Sequence, residues 1–168
     1  MIRVFSHIKF AEWCKKRQIM DATVNKETDK AFISIVGTPV VHNKYDVYQN
    51  EDWTHYFKYD WDNVINLEFD DVDTDLLLSN GEYARTISKE QASKLFDFIE
   101  NNLGKEFIIH CRAGQSRSQA VAEFIFRYYS DIYKRDDFET SSSRITPNIQ
   151  VISVLSECYR KKHNLEYK

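Results

Sequence analysis

Read for hydrophobic and polar positions alone, the chain alternates short apolar runs with longer segments whose apolar residues recur at helical steps. Ile2-Arg3-Val4-Phe5 predicts a first strand. Phe10, Trp13, Cys14 and Arg17 then fall at three- and four-residue intervals, so a helix is expected from a cap at Ser6 to about Arg17. Residues 21–29 are polar and read as a connection. Ala31–Val36 predicts a second, buried strand, ended by Gly37-Thr38-Pro39. Val64–Phe69 predicts a third. Ser88 and Gln91 form a capping box ahead of an apolar stripe of Ala92, Leu95, Phe96, Ile99 and Leu103, and Gly104 closes that helix. Phe107-Ile108-Ile109 predicts a fourth strand, and Val121, Phe124, Ile125 and Tyr128 place a helix from Gln119 to about Ser130. Thr146 is the expected cap of a last helix, with Pro147 at its first position and Val151, Val154, Leu155 and Cys158 as its stripe.

Strands alternating with helices predict an α/β domain, a mainly parallel central sheet with helices on both faces. Three segments lack a clear period. Residues 40–61 carry Tyr45, Tyr48, Trp53, Tyr56, Phe57, Tyr59 and Trp61. They are expected to cover the sheet edge, the alternative being a rim that grips a substrate. Leu76–Ile87 reads as a connection turning at Asn80-Gly81. Residues 131–144 read as a polar connection with a flexible Ser141-Ser142-Ser143. Arg160, Lys161, Lys162 and His163 lie where cations complement a helix C-terminus.

The chemistry concentrates where the fourth strand becomes a helix. Phe107 to Ser118 reads Phe-Ile-Ile-His-Cys-Arg-Ala-Gly-Gln-Ser-Arg-Ser. A strand therefore feeds a tight loop, Arg112 to Ser116, and the loop feeds a first helical turn. Unpaired N–H groups and the dipole at a helix N-terminus favour anions, so Arg112, Ala113, Gly114, Gln115 and Ser116 are candidate phosphate-binding residues. The same environment favours the thiolate form of a cysteine at its base. Cys111 is thus a candidate nucleophile, Arg117 a two-pronged oxyanion clamp, and Ser118 a hydroxyl able to stabilise the sulfur. The inert alternative is a buried structural cysteine ahead of a helix, with Arg117 on a solvated face.

This stretch resembles the signature of cysteine-dependent protein tyrosine phosphatases: His-Cys, five residues, Arg, then Ser or Thr. His110, Cys111, Gly114, Arg117 and Ser118 fall on it, and Ser116-Arg117-Ser118 brings it closest to the small dual-specificity phosphatases. The resemblance implies the phosphatase-like α/β fold. It also implies hydrolysis of phosphotyrosine, with or without phosphoserine and phosphothreonine, through a cysteinyl-phosphate, with no cofactor or metal. His110 is expected to point away from the phosphate and steady the loop. A catalytic Asp is expected after the strand upstream of the cysteine. Asp70, Asp71, Asp73 and Asp75 are the candidates, and Phe69-Asp70-Asp71 favours Asp71, followed by Asp73 and Asp70. Asp71 precedes Cys111 by forty positions, more than is usual in the small members of that family, and the excess fits within Leu76–Ile87. Clustered carboxylates also raise a metal site, although their spacing matches no calcium loop. Phosphoinositide or RNA 5′-phosphatase activity on the same scaffold, or phosphate binding without catalysis, remain open alternatives. His7, His42, His55 and His163 read as structural or surface groups.

Composition narrows the partners. The 168 residues fit one domain, and their −3 formal charge gives no reason to expect nucleic acid or a membrane surface. Arg3, His7 and Lys9 interrupt any apolar leader, and Cys14, Cys111 and Cys158 show no disulfide spacing. A cytoplasmic monomer acting on a phosphorylated protein is the expectation.

Overall fold

Ser6 ends one element and begins the next. In the computed structural model, which describes residues 1–38 and 54–165, strand β1 (Ile2–Ser6) runs directly into helix α1 (His7–Lys16), and the Ser6 hydroxyl accepts the Lys9 amide. A 3-10 turn at Val24–Lys26 leads to β2 (Lys30–Val36) and then β3 (Val64–Glu68). A small hairpin follows, β4 (Leu76–Leu77) and β5 (Tyr83–Ala84). Helix α2 (Lys89–Asn101) opens on the expected capping box, with both Ser88–Gln91 bonds formed. Then come β6 (Glu106–Cys111), α3 (Arg117–Tyr128), β7 (Phe138–Thr140) and α4 (Ile149–Lys162).

The main sheet has five strands in the order β3-β2-β6-β1-β7, and every pair is parallel. Side chains alternate across it. Val4, Ile33, Leu67, Phe107 and Ile109 face the larger core, closed by Leu95, Ile99, Phe124 and Leu155 of α2, α3 and α4. Phe32 and Ile108 face the other way, onto Phe10 and Cys14 of α1 and onto Phe57. Helices therefore cover both faces, as the alternation predicts. β1 and β6 are neighbours, yet the helices that follow them leave to opposite faces. That switch point is where open parallel sheets form ligand crevices.

The structure corrects the sequence reading in several places. Residues 131–144 contain the edge strand β7, three residues long and without alternation, which pairs with Ile2–Val4. Ser141, expected to be flexible, accepts the Ser6 amide on its hydroxyl and donates its own amide to Val4. The cap of α4 is Asn148 rather than Thr146, since the Asn148 side chain accepts the Val151 amide and the helix starts at Ile149. Leu76–Ile87 is a hairpin rather than a bare connection. Of the aromatic segment, Tyr45, Tyr48 and Trp53 lie outside the described residues, as does His42. Phe57 is fully buried and packs edge-on against Phe10 and Phe32, so it covers a sheet face rather than an edge. Tyr56 donates its hydroxyl to Ile19, while Tyr59 and Trp61 are exposed. Among the described residues no helix is long and apolar enough to cross a membrane.

Candidate active site

Alternation along β6 puts its last two residues on opposite sides of the sheet. Cys111 lies on the α3 face, and His110 lies on the α1 face, with its ring 4.2 Å from that of Phe10. Cys111 Sγ is 3.0 Å from Ser118 Oγ on the first turn of α3. The five residues between strand and helix make a loop seated on the end of β1, where the Arg112 carbonyl accepts the His7 amide at 3.1 Å. Gly114 is the contact that fixes this seat. Its φ is +68°, and a Cβ there would lie 2.7 Å from the Phe5 carbonyl carbon and the Ser6 nitrogen. Gln119 holds the loop from the helix side, donating to the Gly114 carbonyl and to the Thr140 hydroxyl.

The N-terminus of α3 has no side-chain cap. The Ser116 hydroxyl at the cap position donates instead to Asp71 Oδ1 at 2.7 Å. The first-turn amides are thus left with the unmet donor capacity typical of a helix start. Arg117 lies almost wholly buried beside them, at 5 % exposure. Its Nη1 donates to the Phe69 carbonyl at 2.6 Å, and its Nε has no partner among the described residues. A buried donor without a partner costs about 1–3 kcal/mol, more when charged.

The four acids are separated by their partners. Asp70 is buried, and its carboxylate accepts the Thr38 amide, the Thr38 hydroxyl and the Arg85 amide, each at 2.8 Å. Asp75 is bound to Arg85 and the Thr86 amide. Asp73 is exposed at the cleft rim. Asp71 is exposed and near the loop, its Oδ1 accepting from Ser116 and, at 2.9 Å, from Asn148 Nδ2. Asp71, Cys111, Arg112, Ser116 and Arg117 line one cleft of about 880 Å³. Among the described residues no three acidic, histidine or cysteine side chains converge as a metal site would require.

Sequence reasoning missed Asn148, which caps α4 and reaches Asp71 with the same side chain. It also missed the group behind the loop. His110 Nε2 lies 2.8 Å from Ser34 Oγ, and that hydroxyl is 2.7 Å from His55 Nδ1. His7 stands edge-on to His110 at 5.1 Å. His7 and His55 are therefore partnered in this group, and His163 is bonded to Glu100 at 3.4 Å. No sequence period links Ser34 to residues 55 and 110; the parallel register of β2 and β6 does. Burial drives His110 well below the usual imidazole range, and electrostatic interactions with His7, His55 and Arg117 act in the same direction. Burial likewise lowers His55 to about 4. The imidazole of His110, next to Cys111 in the chain, is thus neutral near pH 7.

Comparison with protein-family models, curated proteins and solved structures gave no match to the chain. The reading of the site rests on its residues and geometry.

Three outcomes follow from this geometry. Gly114→Ala forces the loop off β1 and is expected to cost about 3 kcal/mol or more, read as a lower urea midpoint. Asp70→Ala leaves three part-buried donors unpaired and is expected to cost about 2–4 kcal/mol, whereas Asp71→Ala, at an exposed position, changes the stability by under about 1 kcal/mol. The third concerns pH. The folded pKa values of His55 and His110 lie below the unfolded value of about 6.5, so unfolding takes up protons as pH falls past that point. Stability is expected to decline from about pH 6.5 towards 4, and His55→Gln should lower the proton uptake by up to about one, measured by urea titrations across that range.

Proposed function

We propose that the chain is a cysteine-dependent phosphatase that hydrolyses phosphomonoesters of phosphorylated proteins through a cysteinyl-phosphate. One observation carries the reading. The Cys111 sulfur, the uncapped N-terminus of α3 and the buried, incompletely paired Arg117 line a single cleft, with an exposed carboxylate, Asp71, in the same cleft. A tetrahedral dianion answers every unmet feature of that arrangement: backbone donors, a guanidinium and a positive helix end.

The reaction divides into two displacements. In the first, Cys111 attacks phosphorus in line as the thiolate, a sulfur–phosphorus bond forms, and the ester P–O bond breaks. Asp71 gives its proton to the departing oxygen. The loop amides and Arg117 stabilise the equatorial oxygens as charge redistributes, which is where most of the rate enhancement in phosphoryl transfer arises. In the second, Asp71 takes a proton from water as the water attacks phosphorus, and the sulfur leaves with the Ser118 hydroxyl 3.0 Å away. His110 takes no proton in either step. Its part is positional, anchoring the end of β6 through Ser34. Ser116 and Asn148, both donating to Oδ1, orient the Asp71 carboxylate.

Polyanionic ligands fit this cleft less well. Asp70, Asp71 and Asp73 stand beside Arg112 and Arg117, and carboxylates oppose additional phosphates. Phosphoinositide and RNA 5′-phosphatase activities therefore rank below action on a phosphorylated protein.

Hydrolysis of p-nitrophenyl phosphate and phenyl phosphate with a chelator present tests the proposal. The native chain is expected to keep its activity in chelator, and Cys111→Ser to lose on the order of 10⁴-fold or more in kcat. Asp71→Asn should lose about 10²-fold on phenyl phosphate and less on p-nitrophenyl phosphate, whose better leaving group needs less protonation. Activity that survives in Cys111→Ser, or that disappears in chelator, would overturn the mechanism. A native chain that binds phosphate and hydrolyses neither ester would be a binding module.

A further inference from the structure

Ser34 is the only polar residue in the run Ala31–Val36, and it is fully buried. The parallel register sets it beside His110 of β6. Its hydroxyl is 2.8 Å from His110 Nε2 and 2.7 Å from His55 Nδ1, so it stands between two imidazoles. His55 is half-buried on the connection between β2 and β3. That connection is anchored just beyond it. Tyr56 donates its hydroxyl to the Ile19 carbonyl, and Phe57 is fully buried against Phe10 and Phe32.

A hydroxyl has one hydrogen to donate. If Ser34 donates to His55 Nδ1, it accepts from His110, and His110 Nε2 carries a hydrogen. If Ser34 donates to His110 Nε2, that nitrogen is bare, and His55 Nδ1 carries a hydrogen instead. Burial lowers both rings, so each is neutral near pH 7 and holds a single N–H. A hydrogen on one of the two nitrogens facing Ser34 therefore excludes a hydrogen on the other. The tautomers of His55 and His110 are coupled through a residue that carries no charge. The coupling reaches Cys111, whose backbone is among the groups acting on the His110 ring. With Nε2 turned to Ser34, the nitrogen nearer the main chain is Nδ1. That nitrogen is an N–H in one tautomer and a bare acceptor in the other, so the two tautomers present opposite partial charges on that side of the ring.

We propose, building on the phosphatase reading, that His55 is a positioning residue: through the Ser34 hydroxyl it fixes which nitrogen of His110 carries the hydrogen, and with it the polarity behind the Cys111 loop. His55 touches no reacting atom. It acts from the α1 face of the sheet, where His110 lies, and the cleft is on the other.

The test reads the tautomer and the chemistry separately. Nitrogen-15 spectra near pH 7 report whether each ring nitrogen is protonated or bare, and turnover of p-nitrophenyl phosphate reports the consequence. In the native chain one of His55 Nδ1 and His110 Nε2 is expected to be protonated and the other bare, with each ring in a single tautomer. In Ser34→Ala and in His55→Phe, His110 is expected to show the intermediate shifts of a mixture, and kcat to fall roughly three- to tenfold at constant KM. His55→Gln, whose amide can donate or accept, should restore the single tautomer and bring kcat within about twofold of native. Phe57→Leu, a packing change two residues away, should lower stability and leave the tautomer single. Both facing nitrogens protonated, both bare, or a His110 tautomer that stays single and unchanged in Ser34→Ala and His55→Phe would overturn the coupling. So would a tautomer that mixes equally in Phe57→Leu. A tautomer that responds while kcat does not, or a loss of kcat that His55→Gln fails to restore, would overturn the positioning role. Coupling that responds as expected in a chain that hydrolyses neither p-nitrophenyl phosphate nor phenyl phosphate would uphold the relay and remove the phosphatase reading.

Discussion

The close approach of the Gly114 backbone to the end of β1 is the contact on which the site depends. At a φ of +68° and with no Cβ, the loop lies directly on the Phe5–Ser6 peptide. The positions of three other groups follow from that seat. Ser6 pairs with Cys111 in register across the strands and caps α1, so the end of β1 is rigid where the loop rests on it. The loop then delivers Arg117 to the first turn of α3, beside the end of β3. Its carboxyl-side cover, the start of α4, is tied to the loop through the Thr146 amide and the Gln115 carbonyl. A bulkier residue at position 114 would shift all of these together, because they share one backbone path.

The period of β6 makes a second division. One residue apart, Cys111 and His110 belong to different chemical compartments. On the Cys111 side the polar groups open into a cleft. On the His110 side the imidazole is buried against Phe10 and bridged to His55 through Ser34. A charged imidazole in that apolar setting would be costly, and burial accordingly keeps it neutral. The cations on the Cys111 side, Arg112 and Arg117, line the cleft with it. His110 is tied to Ser34 on the other side.

Much of this was legible in the sequence because it is local. The strand–loop–helix of residues 107–128, the Ser88–Gln91 capping box and the run Ala31–Val36 depend on neighbours a few positions apart, and they form as expected. What was not legible depends on register or on competition between similar residues. β7 is three residues long and owes its existence to pairing with β1 rather than to its own pattern. Thr146 and Asn148 are both good cap types; Asn148 is the one that caps, and its amide also reaches Asp71. Asp70 and Asp71 are chemically identical in sequence. Only the fold turns the first inward to the Thr38 and Arg85 amides and leaves the second facing the cleft.

The three free cysteines show how far environment rather than residue type sets reactivity. Cys14 is sealed among Phe10, Ile19 and Phe57, and burial pushes its thiol up to about 12, so it is a small apolar filler there. Cys158 is half-buried on α4, and burial raises its thiol as well. Cys111 ends β6 and lines the same cleft as Asp71 and Arg117. The geometry also bears on oxidation. Cys14 belongs to the apolar cluster on the far face of the sheet from Cys111, with β6 itself between them. A disulfide requires Cα atoms within about 7 Å and converging Cβ directions, so joining those two would require the sheet to open. Oxidation of the Cys111 sulfur therefore has no disulfide partner in Cys14.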